Sequence, residues 1–146
     1  MNFRGSHRAK VDEKGRLKIP AEYLDGLRQF GPQFYITSFK GDSALIYPMQ
    51  VWVGIEERLA KGSSQNQAIS KFLMRTSYFG QVVEMDGQGR LLLPTVLRES
   101  ARTVGEVSVF GKLNYLEVMS QAQVAEKIEK DPITTEDYRA LEDLGI

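Results

Sequence analysis

A ten-residue block near the N-terminus occurs twice in the chain, and this internal repeat limits the possible folds more than any other feature. The copies are Val11–Pro20 and Met85–Pro94, which align without a gap at a spacing of 74 residues. Aspartate, glycine, arginine, leucine and proline are identical between them, which is five of the ten positions. Self-similarity of this quality indicates that one structural unit has been duplicated. The sequence therefore predicts two similar modules in a chain of 146 residues.

A second and weaker match follows each block. The segment Ala44–Gln50 aligns with Tyr115–Gln121 at a spacing of 71 residues, which places a three-residue deletion in the preceding loop of the second copy. A module of about 45 to 50 residues buries little apolar surface when it is alone. Since 42% of the residues are hydrophobic, which is enough for a core, we expect the two modules to pack together or to oligomerise.

Each copy of the block predicts a β-hairpin with a tight turn. The extended segments that flank the two turns are 4–11, 16–19, 78–85 and 90–93. The turn itself is Asp-x-x-Gly, in which aspartate accepts N–H bonds at the start and glycine adopts positive φ at the end. The residues that we assign as structural turn residues are Asp12, Gly15, Asp86 and Gly89.

The remaining segments of each copy are predicted to be helices and further strands. Pro20 and Pro94 stand where a helix begins, at a position where the missing N–H costs nothing. The predicted helices are 20–29, 49–61, 94–102, 121–130 and 134–144, and the predicted strands are 33–39, 44–47, 106–110 and 115–119. One more helix is expected to open at the capping pattern Ser64–Gln67 and to end near Met74. The fold class is therefore predicted to be α+β.

Composition and charge exclude several classes of function. The chain has no cysteine, which removes disulfides, thiolate nucleophiles and cysteine-based zinc sites. No apolar run approaches the roughly 18 residues that cross a bilayer, and the N-terminus lacks a signal-peptide pattern. We therefore expect a cytoplasmic protein with no membrane partner. The net charge is zero, but residues 1–75 hold 12 Lys and Arg against 7 Asp and Glu, and residues 76–146 hold 7 against 12.

Arg16 and Arg90 have the clearest functional potential, because each follows the glycine of a tight turn. An arginine at a convex hairpin tip is free to contact a partner, and its planar guanidinium matches phosphate oxygens or the guanine edge. Further basic residues around the first tip are expected to share this contact surface; they are Arg8, Lys10, Lys14 and Lys18. A two-stranded ribbon of this kind fits the DNA major groove. The second tip lacks the basic flank, since Gln88 replaces the lysine of the first turn.

A structural interpretation competes with this functional one. Each arginine could form a salt bridge within its own hairpin, Arg16 with Asp12 and Arg90 with Asp86, and such a pair contributes little when it is exposed. The chain would then be a non-catalytic scaffold or a protein-interaction module. Duplication of the same tip, together with the basic flank of the first copy, favours the functional interpretation.

No residue pattern indicates an enzyme. His7 is the single histidine, so a duplicated Ser-His-Asp set is impossible and a metal site is not expected. Asp12 and Asp86 are placed like the two halves of an aspartic-protease dyad, but the Ser/Thr-Gly that orients such a dyad does not follow them. Trp52 is assigned to the core or to an interface. We therefore expect no catalytic residues, no metal, no cofactor and no small-molecule substrate.

The duplicated Asp-x-x-x-Arg motif, followed in each copy by Leu-x-(Ile/Leu)-Pro, resembles the MraZ family of bacterial transcriptional regulators. The two copies are Asp12–Arg16 and Asp86–Arg90. The resemblance extends to the Phe-Arg-Gly-Ser-His start, to Tyr78-Phe79 before the second copy and to the total length. One such motif is a weak signal, whereas two motifs at this spacing are a specific one.

The resemblance implies a fold and a function that the residues alone do not show. Its modules are swapped-hairpin β-barrels of the AbrB and SpoVT type with flanking helices, here expected at residues 8–51 and 82–125, and the two modules form a pseudo-dimer within one chain. Several chains are expected to close into a ring-shaped homo-oligomer whose Arg16 and Arg90 face double-stranded DNA. The implied role is repression at short direct repeats in the promoter of the division and cell-wall gene cluster, which includes the regulator's own gene. A nucleoid-associated location follows from that role.

Overall fold

The computed structural model describes residues 2–63 and 65–146, and these residues form eight strands and six helices. In chain order the elements are β1 (Ser6–Val11), β2 (Arg16–Lys18), α1 (Ala21–Gln29), β3 (Gln33–Thr37), β4 (Ala44–Pro48), α2 (Met49–Ala60), α3 (Gln67–Tyr78), β5 (Gln81–Glu84), β6 (Arg90–Leu92), α4 (Thr95–Ser100), β7 (Gly105–Lys112), β8 (Tyr115–Ser120), α5 (Gln121–Lys130) and α6 (Thr135–Glu142). The predicted α+β class is confirmed. Over these residues no helix is both long enough and apolar enough to cross a membrane.

All eight of these strands join one antiparallel sheet that curls into a nearly closed barrel. The order across the sheet is β5-β3-β4-β8-β7-β1-β2-β6. The edge strands β5 and β6 are consecutive in sequence, and across the turn between them the N–H of Asp86 donates to the carbonyl of Arg90 at 3.0 Å. This turn brings the two edges of the sheet together, so that little free edge is left for pairing with another chain.

Strands from the two halves of the chain interleave in this sheet. β1 of the first half pairs with β7 of the second half, where Ala9 lies opposite Val107. The equivalent strand of the second half, β5, pairs with β3 of the first half, where Phe34 lies opposite Val83. β2 pairs with β6, and β4 pairs with β8. Each hairpin therefore inserts into the sheet of the other half, and the pattern of pairing has an internal twofold symmetry.

One apolar core fills the barrel, and both halves contribute to it. Its side chains with no exposed surface include Leu17, Leu27, Phe34, Ile36, Ile46, Leu91, Leu97, Val107, Val109 and Leu116. A smaller cluster packs α2 against the outside of the barrel, where Trp52 stacks on Tyr35 with ring centroids 4.8 Å apart. Trp52 is 2% exposed, so of the two predicted places, the core or an interface, it occupies the core. The module boundaries 8–51 and 82–125 stay a prediction, because the main core is shared between the halves.

The prolines that follow β2 and β6 stand one position earlier than predicted. Pro20 and Pro94 have ψ values of 139° and 138°, the extended backbone of an N-cap and not that of a first helical residue. Each proline carbonyl accepts a hydrogen bond of the first turn, from the N–H of Tyr23 at 2.9 Å and of Leu97 at 3.0 Å. The sequence signal therefore located both helix starts to within one residue.

The helix α3 differs from the prediction at both ends. Ser64, the first residue of the predicted capping pattern, lies outside the described residues, and the N-cap is Asn66. The helix continues past Met74 to Tyr78, so the extended segment expected from residue 78 begins only at residue 81. The cause is tertiary, because the carbonyl of Thr76 accepts hydrogen bonds from two hydroxyl groups on β3, at 2.7 and 3.0 Å. These bonds anchor the last turn of the helix to the barrel.

Candidate nucleic-acid interface

The first hairpin tip is organised by the side chain of Asp12. Its Oδ1 accepts hydrogen bonds from the backbone N–H groups of Lys14 at 3.0 Å and Arg16 at 2.9 Å. Its Oδ2 accepts a third hydrogen bond from Nε of Arg16 at 2.8 Å. The turn closes where the N–H of Gly15 donates to the Asp12 carbonyl, and Gly15 has a φ of +85°, which favours glycine. One carboxylate therefore orders both the turn and the guanidinium group.

The second tip repeats this arrangement bond for bond. Asp86 accepts from the backbone N–H groups of Gln88 and Arg90, both at 2.9 Å, and from Nε of Arg90 at 2.8 Å. Gly89 closes the turn with a φ of +75°. Both turns have the geometry that an Asp-x-x-Gly sequence favours, a β-turn followed by a left-handed glycine.

Hydrogen bonding also sets the ionisation of the two turn aspartates. The backbone N–H of Arg16 lowers the pKa of Asp12 below its ordinary value of 3.8; burial opposes this in part, and the Arg16 side chain adds to the lowering. The backbone N–H of Arg90 lowers the pKa of Asp86 in the same way. Each aspartate therefore acts as an anchor for its own arginine.

The tip arginines are held in place, which differs from the free arginine expected at a convex tip. The side chains of Arg16 and Arg90 are 33% and 25% exposed, and each forms the salt bridge of the structural interpretation. The salt bridge uses Nε alone. The Nη nitrogens of both arginines have no hydrogen-bond partner among the described residues. Each guanidinium is thus oriented by its aspartate while its outer N–H donors stay available to an external acceptor.

Pairing of β2 with β6 places both tips on one face of the sheet. Arg16 lies opposite Leu92, and Lys18 lies opposite Arg90. The middle residue of each strand is fully buried, so these four side chains point outward together. We call them the paired-tip surface. A strand spacing of about 4.8 Å and a rise of about 3.4 Å per residue put the Cα atoms of the two arginines roughly 8 Å apart.

Each turn glycine also ties its tip to the opposite half of the chain. The N–H of Ile19 donates to the carbonyl of Gly89 at 3.0 Å, and the N–H of Leu93 donates to the carbonyl of Gly15 at 2.9 Å. Each turn is therefore bonded to the opposite half as well as within itself. The two arginines consequently form one preorganised unit and not two independent loops.

The other predicted basic residues are exposed around this surface. Lys14 lies at the apex of the first turn, and Arg8 and Lys10 lie on the outer face of β1. The expected pairing of β1 with β2 is present but short, since these strands pair at Val11 and Leu17 and β1 continues along β7. The ribbon that carries both tips is β2 with β6. The structure therefore places the two residues of β1 beside the paired-tip surface, not within it.

The position that sequence reasoning missed is Arg98 of α4, whose side chain lies across the first turn. A Cβ added to Gly15 would be 2.5 Å from the Cδ, Nε and Cζ atoms of Arg98. At the second tip the same place over Gly89 is taken by Leu24 of α1, with its Cδ1 at 3.0 Å. Leu24 and Arg98 are 74 residues apart, the spacing of the repeat. Extending the repeat alignment beyond the second proline would have revealed this difference.

His7 is the remaining titratable candidate, and it belongs to the wall of the barrel. Its ring packs edge-on against Tyr23 with centroids 5.1 Å apart, and its Nδ1 lies 3.6 Å from Oε1 of Glu22. Within residues 2–63 and 65–146, no group of three or more His, Cys, Asp and Glu side chains could hold a metal ion. The histidine therefore has a structural explanation in this fold.

Comparison with known proteins identifies the family of the chain. The family described as "MraZ protein, putative antitoxin-like" matches residues 2–75 and 80–144, so that each matched segment contains one tip. A protein named Transcriptional regulator MraZ from Acidobacterium capsulatum is 50% identical over 145 residues, covering 99% of both chains. Proteins of the same name from Koribacter versatilis and Shewanella violacea are 47% and 33% identical, covering 99% and 98% of this chain and 99% and 97% of their own. Matches that span nearly the whole chain and include both Asp-x-x-x-Arg tips show that the chain belongs to the MraZ family.

Proposed function

We propose that this protein is a sequence-specific DNA-binding regulator of transcription, that it acts as a repressor, and that its paired-tip surface contacts the double helix. Its relatives are named as transcriptional regulators, which supports a role in transcription. The observation that carries the proposal is the pair of guanidinium groups of Arg16 and Arg90. The Cα atoms of the two residues lie roughly 8 Å apart on one face, and each guanidinium is oriented through Nε by its own aspartate.

The chemistry of this surface suits DNA. A guanidinium with free outer donors binds phosphate oxygens or the O6 and N7 atoms of guanine. The outward side chains of the β2–β6 pair lie on the surface of the barrel, where they can reach the base edges and phosphates of a major groove about 12 Å wide. Because each aspartate already holds its arginine, less conformational freedom is lost on binding. Lys18 lies beside both arginines on the same face and adds positive charge there.

We further propose that the DNA target is a set of short direct repeats in the promoter of the division and cell-wall gene cluster, including the gene for this protein. Several chains would form a ring, and each paired-tip surface would engage one repeat. Linked weak contacts sum through effective concentration, so a protein of zero net charge can still bind DNA specifically. The proposal gives the protein a cytoplasmic, nucleoid-associated location and involves no cofactor.

The test is a gel-shift titration with duplex DNA from upstream of the gene, compared with a scrambled duplex. Arg16→Ala and Arg90→Ala are each expected to weaken binding about 10- to 100-fold, since a good bidentate arginine contact contributes about 1 to 3 kcal/mol. Binding is also expected to fall steeply with added salt as counterions are released. Arg58→Ala, an exposed arginine on α2, is the matched control and should bind like wild type. Wild-type affinity in both tip variants, with circular dichroism unchanged, would contradict the assignment.

A second candidate function is a non-catalytic scaffold, and the tip salt bridges themselves favour it. Arg16 and Arg90 would then only stabilise their turns. Exposed apolar side chains on α3, Met74 at 71% and Tyr78 at 68%, would serve protein contacts. Under this alternative no upstream duplex is shifted at physiological salt, and Asp12→Asn reduces stability without a binding phenotype. The same gel-shift experiment therefore separates the two candidates.

A further inference from the structure

We propose that Arg98 is a further DNA-contacting residue, which binds a backbone phosphate beside the first tip and makes the two tips functionally unequal. The inference rests on the proposed DNA-binding function. Its starting point is that Arg98 comes from a different element, α4, and reaches the tip only because the two halves of the chain interleave. Nothing in the Asp-x-x-x-Arg motif itself includes this residue.

The Arg98 side chain is held against the first turn. Its Cδ, Nε and Cζ atoms lie only 2.5 Å from the position that a Cβ on Gly15 would occupy, so this part of the side chain is packed against the turn. Its Nη2 donates to Oγ1 of Thr95, one turn earlier on the same helix, at 2.9 Å. The guanidinium is therefore fixed beside the tip before any ligand binds, which reduces the entropy lost on binding.

The charge of Arg98 is not neutralised within the described part of the chain. Its Nε is shielded from solvent and has no hydrogen-bond partner there, and no described carboxylate forms a salt bridge with it. Lys10, Asp12 and Glu13 line the same hollow, but the carboxylate of Asp12 is already bound by Arg16, and that of Glu13 forms no salt bridge with Arg98. Shielding an N–H without a partner is unfavourable, so folding alone does not explain an arginine at this place. A phosphate on the outer nitrogens would supply the missing counter-charge.

The second tip shows which kind of side chain is sufficient to pack over the turn glycine when only folding requires it. Leu24 occupies it there, in close contact with the turn, and it has no hydrogen-bonding group to satisfy. Within the turns themselves the charges balance, because Lys14 is accompanied by Glu13 at the first tip and Gln88 by Gly87 at the second, so the difference between the tips rests on Arg98. Arg28 lines a hollow beside the second turn, but it does not lie across the turn glycine. The first tip therefore presents the stronger phosphate-binding site of the two.

Reciprocal substitutions test this difference. Arg98→Leu gives the first tip the side chain of the second, and Leu24→Arg does the reverse. Arg98→Leu is expected to weaken binding to the upstream duplex about tenfold, the size of one charge-assisted hydrogen bond. It should also reduce the slope of log affinity against log salt by about 0.9 for each phosphate that the variant no longer binds. Leu24→Arg is expected to strengthen binding and to steepen that slope.

Two further variants separate charge from packing. Arg98→Gln removes the charge and keeps most of the aliphatic stem, so it should bind as weakly as Arg98→Leu, whereas Arg98→Lys should retain most of the affinity. Arg58→Leu on α2 controls for a general loss of positive charge, and circular dichroism with thermal unfolding checks the fold of every variant. Wild-type affinity and salt slope in Arg98→Gln, while Arg16→Ala loses binding, would overturn the inference and leave the proposed function intact. A wild-type protein that does not bind the upstream duplex would overturn both.

Discussion

The two hairpin tips share one backbone design and differ in the side chains around it. In each tip an aspartate accepts two backbone N–H groups and one Nε, with matching distances at both tips to within 0.1 Å. Around these turns the side chains differ: Lys14 of the first copy aligns with Gln88 of the second, and Leu24 aligns with Arg98. The comparison shows that the duplicated hydrogen bonds set the geometry of both tips. The side chains around the turns differ because the duplicated hydrogen bonds do not depend on them.

The largest expected effect comes from the core beneath the paired-tip surface. If the two halves are equivalent, the same substitution in each half should lower the free energy of unfolding by a similar amount. Leu17 and Leu91 lie opposite each other at the centre of the β2–β6 pair and have no exposed surface. Leu17→Ala and Leu91→Ala are each expected to lower the free energy of unfolding by about 3 kcal/mol, because apolar burial decreases and a cavity is left behind. Urea denaturation measures both changes, and Leu92→Ala, at a 44% exposed position on the same strand, is the control with little effect. Losses of stability that differ by more than about 2 kcal/mol between the two leucines would show that the symmetric pairing does not extend to the core.

The turn glycines provide a smaller effect that is expected to be larger at the first tip. An added Cβ would be 2.5 Å from three atoms of Arg98 there, and 3.0 Å from the nearest atom of Leu24 at the second tip. Gly15→Ala and Gly89→Ala put a Cβ on residues with φ of +85° and +75°, which costs about 1 to 2 kcal/mol each. Gly87→Ala in the second turn is the matched control, because a Cβ there meets open space and its φ is not in the left-handed region. Thermal unfolding of the three variants gives the comparison. If Gly15→Ala lost no more stability than Gly89→Ala, the Arg98 side chain would be mobile and not held against the first turn.

The smallest expected effect is a pH dependence shared by both tips. The folded-state pKa values of Asp12 and Asp86 lie below 3.8, so their contribution to stability is fully present above that pH. The contribution is lost as the pH falls through the lowered folded-state values. Asp12→Asn and Asp86→Asn should therefore reduce stability at pH 7, and the difference from wild type should shrink in strong acid. NMR titration of the two carboxyl groups checks the sign, since a midpoint above 3.8 for either one would contradict a hydrogen-bonded carboxylate.

Several elements could be predicted from the sequence because their determinants are local. The turn from Asp12 to Arg16 is ordered by hydrogen bonds between residues at most four apart, so the motif specifies it without any other part of the chain. The helix α5 has the predicted bounds of residues 121 and 130, since it begins at a serine N-cap directly after a strand. The end of α3 at Tyr78 could not be predicted, because hydroxyl groups on a distant strand anchor its last turn.

The candidate site was predictable in part. The sequence singled out Arg16 and Arg90 and left open whether each one is free or paired with its aspartate. The structure shows that both properties coexist, because Nε binds the carboxylate and the Nη groups have no partner among the described residues. That outcome depends on the direction of individual N–H bonds, which residue types and spacing do not specify.

The sequence alone specified the duplicated unit, the two Asp-x-x-Gly turns with an arginine after each, and the α+β class. These features depend on propensities and on hydrogen bonds between residues that are close in the chain. Tertiary structure alone decided that Arg16 lies opposite Leu92 and that Arg98 lies across the first turn. The physical reason is that strand partners and packing neighbours are chosen by burial of apolar surface between segments far apart in the chain. A local sequence pattern therefore does not specify which distant segments pack together.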